Sequence, residues 1–145
     1  METERLVVET HPDPKDVAFL EDRINEFNLA TTGIDFGGLL AIFVRDAQGA
    51  IIAGTYGWTW GGCCEMCFLW VHEDFRQRGI GSALLGAAER EAARRGCDQL
   101  ILDTHSFQAP GFYQKLDYEV VGVIEGYPRG YQKFFLRKRL MPVHA

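Results

Sequence analysis

No apolar run in this chain approaches the roughly 20 residues needed to cross a bilayer, so no membrane partner is expected. An excess of basic residues is also missing. Fifteen Lys and Arg against 20 Asp and Glu leave a formal net charge of −5, which argues against a broad nucleic-acid-binding surface. The start, Met1-Glu2-Thr3-Glu4-Arg5, has neither a basic segment nor an apolar signal core, and the expected compartment is the cytoplasm. Internal repeats, low-complexity segments and interdomain linkers are absent too. The 145 residues therefore read as one domain, 1–145, large enough for a real core. Cysteine is scarce. Cys64-x-x-Cys67 has no second ligand pair at zinc spacing, so no metal is expected, and it lies in an apparent strand where a thioredoxin-like pair would open a helix. Buried, reduced thiols are the expected state of Cys63, Cys64, Cys67 and Cys97.

What is present is a sequence of well-punctuated elements. Arg5 to Thr10 reads as a short first strand. Asp13-Pro14 is a helix start, with Asp13 as cap and Pro14 in the first helical position. Val17, Leu20, Ile24 and Phe27 follow at helical spacing and are expected to line a buried face. Residues 39–45 and 50–60 read as strands joined by the hairpin signal Asp46-Ala47-Gln48-Gly49, and Gly61-Gly62 turns into a third, Cys63 to Val71. Ile80 to Arg95 reads as a helix with Leu84, Ala88 and Ala92 on one face, stopped at Gly96. Leu100-Ile101-Leu102 is a compact strand, parallel to Cys63–Val71 because a helix crosses between them. A short helix, 107–116, and two strands, 118–124 and 131–140, complete the chain.

Between the strand Cys63–Val71 and the next helix lies Arg76-Gln77-Arg78-Gly79-Ile80-Gly81-Ser82. A helix N-terminus offers unpaired N–H groups and about half a positive charge to an anion. Gly79 and Gly81 are expected to allow positive φ and close approach of a ligand, while Arg76 and Arg78 add charges suited to phosphate. A P-loop is excluded because no Gly-Lys pair follows Gly81. A dinucleotide fingerprint fails at Leu84, where a third Gly belongs. The remaining pattern, R-x-x-G-x-G directly after a strand, resembles the acyl-CoA pyrophosphate loop of the GNAT superfamily of N-acyltransferases. A second segment, from Ser106 to Tyr118, resembles that family's N-x-x-A-x-x-F-Y-x-K-x-G-F signature. Ala109, Phe112, Tyr113 and Lys115 match, Ser106 stands where Asn is frequent, and Asp117 where Gly is.

The resemblance implies a fold and a site. The fold is α/β (α+β): a mixed, mainly antiparallel sheet of about seven strands flanked by helices, its fourth and fifth strands parallel and splayed. Acetyl-CoA, the implied co-substrate, would enter that splay. Leu69, Trp70 and Val71 would offer main-chain groups to its pantetheine arm, the N–H groups from Gln77 to Ser82 would hold its pyrophosphate, and Ser106 would replace an amide that contacts the arm. A backbone N–H near Val71 would face the developing oxyanion.

Acyl transfer to an amine also needs a proton moved at each end. Tyr113 is the candidate acid, since a phenol of reference pKa near ~10 can protonate a departing thiolate. Glu65, eleven positions before Arg76, is the candidate base by analogy with some family members, and is expected to share a strand face with Cys67, Leu69 and Val71. His72 and His105 lie near strand ends, where a lone His is more often structural. Tyr56, Trp58 and Trp60 alternate along one strand, suiting an acceptor wall, a layer under a helix or a subunit contact in a homodimer. The implied function is N-acetyl transfer to a primary amine, preferably of a small molecule, by direct transfer in a ternary complex. A catalytically silent acyl-CoA-binding module would keep the Arg76–Ser82 cradle without needing Tyr113.

Overall fold

A computed structural model of the chain describes residues 5–143. They divide between Asp35 and Phe36 into two compact units. The first holds one helix, α1 (Pro14–Thr32), which starts as its sequence directs: the Asp13 side chain accepts a hydrogen bond from the Lys15 N–H at 2.9 Å, and Pro14 occupies the first turn. Two expectations fail in this unit. Arg5 to Thr10 forms no strand, having no partner strand to pair with. Val17, Leu20, Ile24 and Phe27 are all exposed, because residues 5–35 contain no second element for that face to pack on.

The second unit carries a six-stranded sheet, where about seven strands were expected. Its elements are β1 (Gly37–Arg45), β2 (Ile51–Trp60), β3 (Cys63–Val71), a 3₁₀ turn (Glu73–Phe75), α2 (Ile80–Arg94), β4 (Gln99–His105), α3 (Pro110–Lys115), β5 (Glu119–Glu125) and β6 (Gln132–Arg139). The spatial order is β1-β2-β3-β4-β6-β5, antiparallel throughout except for the parallel pair β3–β4. The β1–β2 turn is the expected one. Asp46 accepts from the N–H groups of Gln48 and Ala50, each at 2.9 Å, an arrangement only a short acceptor side chain can make. β4 runs three residues past the expected stretch, to His105, because its other edge pairs with β6 along its whole length, from Gln99↔Arg139 to His105↔Lys133.

One face of the sheet is buried by α2. Leu84, Leu85, Ala88 and Ala92 of the helix meet Leu40, Cys64, Met66, Leu100, Leu102 and Leu136, and the small Ala side chains let helix and sheet approach closely. Truncating a side chain as enclosed as Leu85 costs about 2–5 kcal/mol. On the other face Leu39, Phe43, Trp58, Phe68 and Trp70 are exposed. Among the described residues no helix is long and apolar enough to cross a membrane.

The β2–β3 ladder contains one irregularity that shapes the site. Tyr56 pairs with Phe68 and Gly57 with Met66, so Cys67 is an extra residue bulged out of β3. Gly57 is required opposite it: a Cβ there would lie 2.0 Å from the Glu65 carbonyl oxygen. The Thr55 hydroxyl donates to the Phe68 carbonyl at 2.8 Å and pins the far side of the bulge.

Candidate active site

Pairing between β3 and β4 is short. It runs from Cys63↔Gln99 to Glu65↔Ile101 and stops. Beyond that rung Met66–Val71 and Leu102–His105 continue as strands without pairing to each other, which leaves main-chain donors and acceptors of β3 facing the gap. The expected splayed pair is therefore present. A small cavity of about 20 Å³ sits in the gap, with Met66, Cys67, Leu69, Leu102, Asp103 and Tyr113 among its lining residues.

The bulge corrects the expected placement of Glu65. Cys64, Met66, Leu69 and Val71 are turned toward α2, whereas Glu65, Cys67, Phe68 and Trp70 are on the exposed face. Glu65 thus stands opposite Leu69 and Val71, at the last paired rung, and is not among the residues lining the gap. The strand-spacing argument assumed unbroken alternation, which the extra residue interrupts. Gly57 between Tyr56 and Trp58 was the available sign, since glycine inside a strand marks a bulge or a close backbone approach.

At the open end of the gap, the chain leaves β3 through His72 and the 3₁₀ turn and enters α2. The Arg76 Nε–H donates to the Val71 carbonyl at 2.9 Å, so this arginine clasps the loop to the strand end. Arg78 lies over the Phe75 ring, 5.4 Å from its centroid. Gln77 has φ 62°, a left-handed conformation that costs a non-glycine residue about 1–3 kcal/mol. Gly79, with φ 78°, is the cap residue of α2 and makes no side-chain cap, leaving the N–H groups of the first turn directed outward. Gly81 differs from expectation. It is helical, and a Cβ there would lie 3.3 Å from the Phe112 ring, so its missing side chain admits α3 against α2. Ile80 is half-buried and Ser82 exposed within the same turn.

α3 is shorter than expected, since Phe107 to Ala109 form a turn before Pro110. It presents Tyr113 to the gap. Burial, and then the charge of Asp103, raise the Tyr113 phenol above its usual range, which keeps it protonated and able to donate. Tyr118 behind it is engaged differently: its hydroxyl donates to Glu89 at 2.8 Å, and Lys138 binds the other Glu89 oxygen at 2.8 Å. This trio joins α2 to β6. Ser106 also has a structural partner, its hydroxyl accepting from the Gln132 N–H at 3.0 Å at the end of the β4–β6 ladder.

His72 caps the 3₁₀ turn by accepting from the Asp74 N–H at 3.1 Å, and His105 is stacked between Phe107 and Tyr127. The four thiols are free. Cys64 and Cys97 are buried, Cys63 is half-buried and Cys67, at the bulge, is exposed against expectation. Burial pushes the Cys64 thiol up to about 12. Among the described residues no group of three or more His, Cys, Asp or Glu side chains is placed to hold a metal ion.

A larger cavity, about 360 Å³, lies at the opposite end of the sheet, where β2 ends and β3 begins. Its one cation, Arg95, is committed to structure: the guanidinium donates to the Leu39 carbonyl at 3.0 Å and to the Thr59 hydroxyl at 3.2 Å, tying the C-terminus of α2 to β1 and β2. The chemistry-bearing groups gather at the smaller gap. Asp103 belongs among them, and sequence reading missed it because its strand was taken to end at Leu102.

Comparison with known proteins agrees with this geometry. Residues 39–120 match the acetyltransferase (GNAT) domain family. The blasticidin-S acetyltransferase of Streptomyces morookaense is 35% identical over 104 residues, 69% of this chain and 74% of its own. An acetyltransferase of Agrobacterium fabrum is 30% identical over 120 residues, 83% and 88% of the two chains. A crystal structure of a Bacillus cereus acetyltransferase, 30% identical, gives a TM-score of 0.79 over 97% of this chain and 100% of its own. An Agrobacterium tumefaciens structure assigned as an acetyltransferase, 28% identical, gives 0.86 over 94% and 100%. With a family match over more than half its length, and with the parted parallel strands and glycine-capped helix described above, this chain belongs to the GNAT superfamily of acetyltransferases.

Proposed function

We propose that the protein moves an acetyl group from acetyl-CoA to a primary amine of a small molecule, by direct transfer in a ternary complex. The observation that carries this reading is the β3–β4 gap, with Tyr113 at its side and the outward N–H groups of α2 at its open end. Acetyl-CoA supplies an acyl group already activated as a thioester. The protein's contribution is placement and proton management.

The unpaired edge of Leu69, Trp70 and Val71 suits the amide-bearing arm of the co-substrate, for the same reason it would suit another strand. The loop from Gln77 to Ser82 suits its diphosphate. The Arg76 clasp and the left-handed Gln77 and Gly79 hold that loop in one shape before any ligand arrives, which lowers the ordering cost of binding. Tyr113 donates its proton to the departing sulfur. A β3 N–H facing the gap near Val71 suits the developing oxyanion. The Ser106 hydroxyl accepts from the Gln132 N–H and keeps its own O–H to donate to the arm. A small-molecule acceptor is favoured because the Streptomyces relative acts on blasticidin-S.

The test is thiol release from acetyl-CoA across a panel of small amines, alongside calorimetry of CoA binding. Micromolar binding with amine-dependent thiol release is expected. Tight binding with no release for any amine would reduce the protein to an acyl-CoA-binding module, and no binding would remove the proposal altogether.

A further inference from the structure

The acid in this site has a clear seat, but the expected base, Glu65, is not among the residues lining the gap. Asp103 does. It lies on β4 two residues beyond Ile101, the last residue paired to β3, so it stands where the strands have already parted. It lines the cavity together with Tyr113, Cys67 and Leu102. Its carboxylate is half-exposed, and its ion-pair partner is Lys133 on β6, with Nζ 3.5 Å from Oδ1. That distance is long for a charge-assisted hydrogen bond, so the oxygens keep lone pairs for another donor. Around it stand Glu65 and Cys67 on β3, Lys133 on β6, Tyr113 on α3 and His105 on its own strand. It is exposed on the face of β4 opposite Leu100 and Leu102, and its charge raises the Tyr113 phenol after burial does; the Cys67 thiol is raised by burial, then by Glu65 and then by Asp103.

We propose that Asp103 is the residue that takes the proton from the acceptor nitrogen, working across the β3–β4 gap from Tyr113. This rests on the acetyl-transfer reading above. The balance is complete within the two side chains. The neutral amine nitrogen forms a bond to the acyl carbon while the carbon–sulfur bond breaks. One N–H proton passes to the Asp103 carboxylate, and the Tyr113 phenol proton passes to sulfur. The carboxylic acid and phenolate then exchange a proton directly or through water in the gap, and both groups return to their starting states. The products are an amide and free CoA thiol. An acceptor that arrives as an ammonium ion is attracted by the same carboxylate, which first relays its extra proton to bulk water and is then free to take the second N–H proton during transfer, so the site favours alkylamines over anionic nucleophiles.

The experiment compares wild type, Asp103→Asn and Glu65→Gln with the best amine from the panel. Each is checked for folding by circular dichroism and for CoA affinity by calorimetry. Asp103→Asn is expected to bind CoA like wild type and to lose about 10²–10⁴-fold in kcat/KM near neutral pH. The loss should shrink as pH rises toward the ~10.4 of a free alkylamine, and should shrink likewise with an acceptor amine of much lower pKa. A deficit independent of pH and of acceptor basicity, or none, would overturn the assignment, as would a larger pH-dependent loss in Glu65→Gln. If wild type binds acetyl-CoA yet no amine releases thiol, the transfer reading fails and the assignment with it; wild-type turnover with an unimpaired Asp103→Asn removes Asp103 alone.

Discussion

Replacing Tyr113 by Phe separates catalysis from folding at this site. The ring makes edge contacts with Phe112 and Tyr118, at centroid distances of 5.1 and 5.9 Å, and Phe preserves both. The hydroxyl has no hydrogen-bond partner among the described residues, so its removal breaks no internal bond. The stability change should therefore stay below about 0.5 kcal/mol. The kinetic change should be far larger. Loss of a proton donor in the transition state is worth about 10²–10⁴-fold, or about 2.7–5.4 kcal/mol of barrier. Thiol release measured with acetyl-CoA and with an acyl donor of much lower thiol pKa gives the decisive comparison. The second leaving group departs unaided, so the variant should recover most of its rate with it while CoA affinity stays unchanged. Equal impairment with both donors would mean that the hydroxyl orients substrate and is not the acid. Tyr118→Phe is the natural contrast. It loses a 2.8 Å bond to Glu89, should cost about 1.5–3 kcal/mol and several degrees of Tm, and should leave the leaving-group dependence unaltered.

Three further expectations concern the frame around the site. Gly79→Ala meets no neighbour but must hold φ near 78°, so thermal denaturation should show a loss of about 1–2 kcal/mol, and an unchanged Tm would contradict the backbone argument. Gly81→Val should lose about 1–3 kcal/mol for a different reason, overpacking against Phe112, and a variant as stable as wild type would show that α3 does not need the space. The Cys64 thiol is raised from 9.0 to about 12, so its contribution to stability is full below pH 9 and is lost as pH climbs from 9 to 12, by about 1.4 kcal/mol per unit. Cys64→Ala should flatten the alkaline limb of denaturant-derived stability, and parallel limbs for the two proteins would refute it.

The legible parts of this chain were those decided locally. Asp13-Pro14 states a helix start, Asp46 to Gly49 a hairpin, and the glycine-bearing stretch after Val71 a helix entry shaped for an anion. Tyr113 was legible through its signature, and the structure places it at the gap. The illegible parts depend on partners distant in sequence. Arg5 to Thr10 has strand-like residues and nothing to pair with. The length of β4, and with it Asp103, is set by β6, some thirty residues later. Gly81 was assigned to ligand approach, whereas its neighbour is a ring on α3. Glu65 was misplaced because face assignment by counting fails wherever a ladder takes an extra residue.

That extra residue has a consequence for how the strand tolerates change. Before Cys67 the even-numbered positions, Cys64 and Met66, point inward; after it the odd-numbered ones, Leu69 and Val71, do. The two halves of β3 therefore obey opposite parity. Deleting Cys67 would leave every inward residue inward and yield an unbroken ladder against β2, so sheet and core alone do not demand the residue. The gap does: the bulge lies two residues past the last rung shared with β4, where an unbroken ladder would hold β3 in line. Length change at residue 67 should thus be tolerated by folding and punished by turnover.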